Sequence, residues 1–363
     1  MNRLIELYQN FGQSPWIDNL SRSWLNSGRI IDLKDQGIRG LTSNPTIFAN
    51  AISKSDDYDK NYFELAKEMD VKSAYWEMAS KDVSDAADVL SEIYEDSNGT
   101  DGFVSIEVDP DLAHDTAGTI EAAQWLWDKI DRKNLMVKIP ATKEGIPAIT
   151  ESIARGISVN VTLIFGLDRY KDVMDAHIDG LFKAVEAGID ISHISSVASF
   201  FVSRVDTKLD PILEQMSDEA QKLMGKSAVA QAQAAYIQHT DRYSQKDWSQ
   251  LSESGAQVQR PLWASTSTKN PKYSDLLYVE NLVAPGTVNT MPENTVLAYL
   301  DHGKPLCNVE HFETESSQIL NSLNNIGIDL VKISDELEKE GVSSFSKSFE
   351  DLIAALESKK SAM

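Results

Sequence analysis

Short apolar segments alternate with longer amphipathic ones along most of the chain. The apolar segments are SPWIDNL (14–20), GIRGLTSN (37–44), GFVSIEV (102–108), LMVKIPA (135–141), GISVNVTLI (156–164), HISSVASFF (193–201), PLWASTS (261–267) and DLLYVENL (275–282). Between most of them lie stretches such as DVSDAADVLSEIYED (82–96), AGTIEAAQWLWDKI (117–130) and GLDRYKDVMDAHIDGLFKAV (166–185). Apolar residues recur there at three- and four-residue spacing, the mark of an amphipathic helix. Eight strands separated by helices predict an α/β fold, a (β/α)8 barrel, although a doubly wound sheet would give a similar string. Beyond Pro285 the alternation stops. NTVLAYLDHG, ETESSQILNSLNNIGIDLVKISDELEKEG and SSFSKSFEDLIAALESKK read as helices, a C-terminal extension over about residues 305–363 that packs outside the barrel or over one end. No repeat, low-complexity tract or proline-rich linker divides residues 1–363, so the pattern predicts one barrel domain with that extension.

Strand parity sharpens the picture, because successive residues of a strand point to opposite faces. In GISVNVTLI, Ile157, Val159, Val161 and Leu163 suit packing against helices, which leaves Ser158, Asn160 and Thr162 for the interior. In LMVKIPA, Met136 and Lys138 turn inward, and Ser105 shares a face with Glu107 in the strand before. Trp263, Ser265, Ser267 and Lys269 alternate with Leu262, Ala264 and Thr266. Polar groups thus crowd the C-terminal ends of several strands, where barrel enzymes keep their chemistry.

Lys138 is the sharpest of these, a lone cation between Val137 and Ile139. A buried lysine is rare unless it is paired or functional. It could form an interior salt bridge with Glu107 or Asp18. It could equally be an amine that attacks a carbonyl, since apolar surroundings disfavour the charged form. Parity alone leaves both readings open.

Composition narrows the partners. Lysine plus arginine number 34 against 56 acids, a net charge of −22, which disfavours nucleic acid and anionic membrane surfaces. A small anionic substrate remains compatible, because a few cations in a cleft set the local field. One cysteine, Cys307, excludes an internal disulfide and fits a reducing compartment. MNRLIELYQNFG lacks the apolar core of a signal peptide, and no apolar run is long enough to span a bilayer. A soluble, cytoplasmic protein is the expectation, and the acceptor patterns at Asn98 and Asn160 then count as chance. The histidines are scattered without metal-ligand spacing, and no P-loop, GxGxxG or GxSxG occurs.

The segments PWIDNLSR (15–22), GLTSNPTIF (40–48), VSIEVDP (104–110), MVKIPAT (136–142), GISVNVTLIF (156–165), ASFFVSRVD (198–206) and LWASTSTKNP (262–271) stand together in an order that resembles the transaldolases, in particular their longer bacterial subfamily. The resemblance runs nearly end to end. It implies a class I aldolase-type barrel that moves a dihydroxyacetone unit from sedoheptulose 7-phosphate to glyceraldehyde 3-phosphate in the non-oxidative pentose phosphate pathway. Erythrose 4-phosphate and fructose 6-phosphate are the products. It further implies phosphorylated sugars as partners, no metal or organic cofactor, and a homodimer as the assembly.

Residue by residue, the resemblance gives Lys138 the Schiff base, Asp18 the proton of the C4 hydroxyl, and Glu107 with Thr162 the water of imine formation and hydrolysis. Thr42, Asn44, Asn160 and Ser199 fall on sugar-contacting positions, and Arg204 on the phosphate-binding arginine. Alone, Asp18 would read as a helix cap, Asn44 as a turn residue and Arg204 as an exposed helix arginine. Ser265 matches a family serine in the phosphate half of the site. The chain departs from the pattern just after it, where many shorter members carry a second arginine and this sequence reads ASTSTKNP. Lys269 is the cation placed to substitute, as a point charge and not a fork. Two rivals remain at this stage: a Schiff-base aldolase that releases free dihydroxyacetone, and a non-catalytic sugar-phosphate sensor, which would not need the complete acid–base set.

Overall fold

The computed structural model describes residues 2–305 and 307–361. Residues 1, 306, 362 and 363 of the expected 1–363 span lie outside it. Among the described residues eight parallel strands close into a barrel in sequence order. They are β1 Ser14–Asp18, β2 Leu41–Thr42, β3 Val104–Glu107, β4 Leu135–Pro140, β5 Val159–Ile164, β6 Ser196–Phe201, β7 Arg260–Ala264 and β8 Val288–Met291. The expected (β/α)8 barrel is therefore the fold. No described helix is long and apolar enough to cross a membrane.

Every residue of β4, β5 and β6 is buried, as strands covered on both faces must be. Helices supply the cover, and their starts are written in the sequence. Asp70 caps the helix Val71–Asp96 through Ser73, and Asp115 caps Thr116–Ile130 through Gly118. The turn leaving β4 is tight enough to demand glycine: a methyl group on Gly145 would sit 2.0 Å from the Pro140 carbonyl oxygen.

One strand differs from the expectation. DLLYVENL contains the short helix Leu277–Asn281, and the eighth strand is VNTM, pairing with β7 at Leu262↔Val288 and with β1 at Ser14↔Val288. The four-residue strand carries Asn289 and Thr290, so no apolar run marks it. The LLYV run looks strand-like, yet it buries Tyr278 and Val279 as part of a helical turn, tied down by the Tyr278 hydroxyl, which donates to Asp206 at 3.1 Å.

The tail resolves into helices Val309–Asn325 and Leu330–Ser361. The second crosses the C-terminal mouth of the barrel. Ser334 Oγ donates to the Phe165 carbonyl at 2.9 Å just beyond β5, Arg169 pairs with Glu338 at 3.2 Å, and Lys208 reaches Glu336 at 2.9 Å and Glu340 at 2.5 Å. Of the two placements left open by the sequence, the long helix takes the one over an end.

Candidate active site

The mouth encloses a cavity of about 520 Å³. Asp18, Thr42, Asn44, Lys138, Thr162, Ser199, Arg204, Ser265 and Lys269 line it, which brings nine of the sequence-derived site residues onto one surface. Glu107 and Asn160 lie just behind that wall. Although the chain carries −22, the charged groups on the wall are Lys138, Arg204 and Lys269 against the single acid Asp18. Such a cavity favours an anion.

Register places Glu107 beside Lys138, and Lys138 beside Asn160, on adjacent strands. Lys138 Nζ lies 3.1 Å from Glu107 Oε2 and donates to the Ser43 carbonyl at 2.9 Å. The buried salt bridge considered from sequence is thus present, and its lysine also faces the cavity. Burial raises the Glu107 carboxyl, an effect opposed by the lysine and reinforced by Asp18. Burial likewise raises Asp18, against the pull of Lys138 and the Thr42 hydroxyl. Two carboxyls flanking one amine are therefore both held above their ordinary range, which biases each toward its protonated form.

Hydroxyls orient these groups. Thr42 Oγ1 donates to Asp18 Oδ1 at 2.6 Å and meets Thr290 Oγ1 at 2.7 Å. Ser21, and not Asp18, caps the helix that follows β1. Below the lysine, Ser199 donates to Asn160 Oδ1 at 2.7 Å, and Asn160 Nδ2 donates to Ser105 Oγ at 3.0 Å. Asn160 is wholly buried in that chain of bonds, so it braces the wall more directly than it meets a ligand. Asn44 does cap a helix, its Oδ1 accepting from Ile47 at 2.9 Å, which leaves its amide N–H groups on the cavity side. The Thr162 hydroxyl is buried and unpaired, and Glu107 Oε2 makes no well-aligned hydrogen bond. An unpaired buried polar atom is costly, and the Thr162 hydroxyl, on the cavity wall with Lys138, suits a bound water or substrate oxygen.

The far end of the cavity depends on two breaks in strand geometry. Beyond Thr162 the β5–β6 register shifts, with Leu163 at φ 59°. Ser265 leaves β7 at φ 57°, a left-handed conformation uncommon outside glycine. Its hydroxyl lies 2.9 Å from Ser203 Oγ, one residue before Arg204. That break also undoes the parity expected for β7: Ala264 lines the cavity, while Trp263 packs edge-on to Phe200 and donates Nε1 to the Leu282 carbonyl. Arg204 is half-buried on the wall, its guanidinium 5.3 Å from the Phe201 ring and lowered by burial from its ordinary value. Lys269 is exposed at the rim.

Sequence reasoning missed Thr290, Phe201, Ser344 and Phe345, which also line the cavity. Thr290 was hidden with the mislocated eighth strand. Phe201 sits two residues beyond Ser199 on the same face, so parity alone could have found it. Nothing local marks Ser344 and Phe345, because only the tertiary path of the tail brings them to the mouth.

Comparison with known proteins shows the family. Residues 15–356 match the family model described as transaldolase/fructose-6-phosphate aldolase. The chain is similar to the transaldolase of Saccharopolyspora erythraea, 49% identical over 97% of this chain and 96% of that protein. It is also similar to the transaldolase of Mycolicibacterium smegmatis, 51% identical over 95% and 94% of the two chains, and to transaldolase 2 of Streptomyces coelicolor, 47% identical over 95% and 94%. A barrel with a lysine and two raised carboxyls at its mouth, matched almost throughout by these relatives, belongs to the transaldolase/fructose-6-phosphate aldolase family and is an enzyme of the transferase class.

Proposed function

We propose that this enzyme transfers a dihydroxyacetone unit from sedoheptulose 7-phosphate to glyceraldehyde 3-phosphate, as a step of the non-oxidative pentose phosphate pathway. The observation that carries the reading is Lys138, buried between two protonatable carboxyls yet open to a cavity whose other end bears Arg204 and Lys269.

The sequence of steps follows from the contacts. Glu107 takes a proton from the Lys138 ammonium, which frees the lone pair for the C2 carbonyl of the ketose. The carbinolamine loses water, protonated by Glu107 with Thr162 Oγ1 holding the oxygen, and the product is a protonated imine. Asp18 accepts the proton of the C4 hydroxyl while the C3–C4 bond breaks and its electron pair flows into the imine. The aldose leaves, and the enamine stays on Lys138. Attack of that enamine on the acceptor aldehyde reverses the electron flow, with Asp18 returning the proton to the new hydroxyl. Hydrolysis of the imine regenerates the amine. Thr42 keeps Asp18 aimed, Asn44 and Ser199 bind the dihydroxyacetone hydroxyls with Asn160 behind them, and Arg204, Lys269 and Ser265 hold phosphate.

Borohydride trapping with fructose 6-phosphate tests this. A reduced three-carbon adduct on the peptide that contains Lys138, absent in Lys138→Arg, is the expected result. No adduct in an active enzyme would refute the imine, and free dihydroxyacetone accumulating at the same rate with and without acceptor would assign aldol cleavage in place of transfer.

A further inference from the structure

The helix Leu330–Ser361 does more than cover the barrel. Ser344, Phe345 and Ser348 lie three, four and seven residues beyond Gly341 and so share one face with it. The two ends of that face are fixed against opposite sides of the cavity. A methyl group on Gly341 would lie 3.0 Å from Leu163 Cδ2 and 3.5 Å from Arg204 Nη1, so the helix backbone is seated directly on the arginine. One face-length further, Ser348 Oγ lies 2.8 Å from Thr46 Oγ1, and Thr46 lines the cavity on the Asn44 side. Ser344 and Phe345 stand between these anchors, both on the cavity wall. With a helical rise of about 1.5 Å per residue, Ser344 sits roughly 4.5 Å along the axis from the position that touches Arg204.

The two residues differ in what they offer. Phe345 is buried, a wall of the cavity. Ser344 is exposed into it. On the same helix Ser334, Ser358 and Ser361 each bond back to the carbonyl four residues earlier, but Ser344 makes no such bond among the described residues, so its hydroxyl is uncommitted. The neighbouring acids do not oppose an anion here, since Glu336 and Glu340 are both taken up by Lys208.

We propose that Ser344 is a substrate-binding residue whose hydroxyl donates to the phosphate group held by Arg204 and Lys269, so that the C-terminal helix completes the phosphate end of the cavity. This rests on the transfer reaction proposed above and adds to it a ligand supplied from outside the barrel strands and their loops. It also accounts for the missing second arginine: a point charge at Lys269 is a less directional partner for phosphate than a second fork would be, and the Ser344 hydroxyl supplies a further donor.

The test compares acceptors that differ only in phosphate. In a ping-pong transfer kcat/KM for the acceptor does not depend on the donor that loaded the lysine, so glyceraldehyde 3-phosphate and unphosphorylated glyceraldehyde can be compared with sedoheptulose 7-phosphate as the common donor and release of erythrose 4-phosphate as the common readout. Ser344→Ala should lower kcat/KM for the phosphorylated acceptor roughly tenfold, the scale of one hydrogen bond to a charged group. Ser344→Asp should deepen that loss to about a hundredfold, because a carboxylate would then face the phosphate. Glyceraldehyde should be used equally well by all three enzymes, and Ser343→Asp, one residue back and off the wall, should behave as the parent. Equal losses for both acceptors, or no loss for either, would overturn the role of Ser344. Absence of the borohydride adduct on Lys138 in the parent would instead overturn the reaction beneath it, so the two failures are distinguishable.

Discussion

At the floor of the barrel, Asp101 accepts from Ser14 Oγ at 2.5 Å, Trp16 Nε1 at 2.8 Å and Arg39 Nε at 2.8 Å, with Arg260 Nη2 3.6 Å away. At the mouth, Lys138 pairs with Glu107 at 3.1 Å beside Asp18. Both are buried charge clusters tying several strands together. The floor spends both carboxylate oxygens on donors from β1 and from Arg39 just ahead of β2, an arrangement that fixes strand ends in place, although Arg260 Nη2 beside it has no hydrogen-bond partner among the described residues. The mouth leaves Thr162 Oγ1 unpaired and Glu107 Oε2 without an aligned donor, and holds its carboxyls above their usual range. The carboxylate at the floor is fully engaged by donors, whereas the carboxyls at the mouth are raised and lie on or just behind the wall of a cavity.

Substitutions can break that contrast from either end. The largest effect is expected from Lys138→Met, which removes the nucleophile and should cut transfer at least about a thousandfold. Its urea midpoint should move little, because Glu107 is raised already and can take a proton once its partner is gone. Asp101→Ala should do the reverse, costing about 1–3 kcal/mol of stability as the buried Trp16 Nε1 and the half-buried Arg39 lose their acceptor, while kcat per folded molecule holds. Chemical denaturation and transfer assays on the same preparations read both.

Next in size is Asp18→Asn, expected to lower kcat by about 10²–10⁴, the usual worth of a positioned acid–base group. In the parent, Asp18 must be deprotonated to accept the C4 proton, so kcat/KM should fall as pH drops through its raised pKa, and this acid limb should disappear in the variant. Stability runs the other way. Because burial raises Asp18 and Glu107 in the fold, the folded chain keeps protons that the unfolded chain has released, and these two groups weaken the fold as pH rises from about 4 through their raised values. Glu107→Gln should flatten that slope in urea midpoints measured across pH.

The smallest effect sharpens the comparison. Thr162→Val deletes a buried hydroxyl that has no partner, so stability should hold or rise slightly, while imine hydrolysis slows about tenfold with the loss of one water ligand. A variant that destabilised the protein would place Thr162 with the floor, as structure.

Much of this site was legible in the sequence because strand parity is local. Lys138, Glu107 and Thr162 could be assigned inward from their neighbours alone, and the barrel then brought them together. The failures share a cause. VNTM was invisible because a short strand at the polar end of a barrel has no apolar signature, and parity failed at Ser265 because a residue at φ 57° ends the alternation that the inference needs. Ser344 was out of reach for a different reason. A serine on an amphipathic helix carries no sign of what lies across from it, and its place at the mouth follows from how the whole tail docks.

That docking also bears on the order in which the protein acquires its properties. The bonds that seat the long helix join residues hundreds of positions apart, Thr46 to Ser348 and Tyr62 to Leu356 among them. Loop closure of that length is entropically costly and contacts of such separation form late, whereas each βα unit is made from neighbouring sequence. Barrel closure is itself nonlocal, since β1 pairs with β8 across a comparable stretch, Ser14 with Val288, so closing the barrel and laying the helix over its mouth are both late steps and the cavity wall is complete only when both are done. A finished cavity is thus a report on finished folding: a chain that has closed its barrel but not yet laid its last helix across it has Lys138 in place and lacks the wall that Ser344 and Phe345 supply.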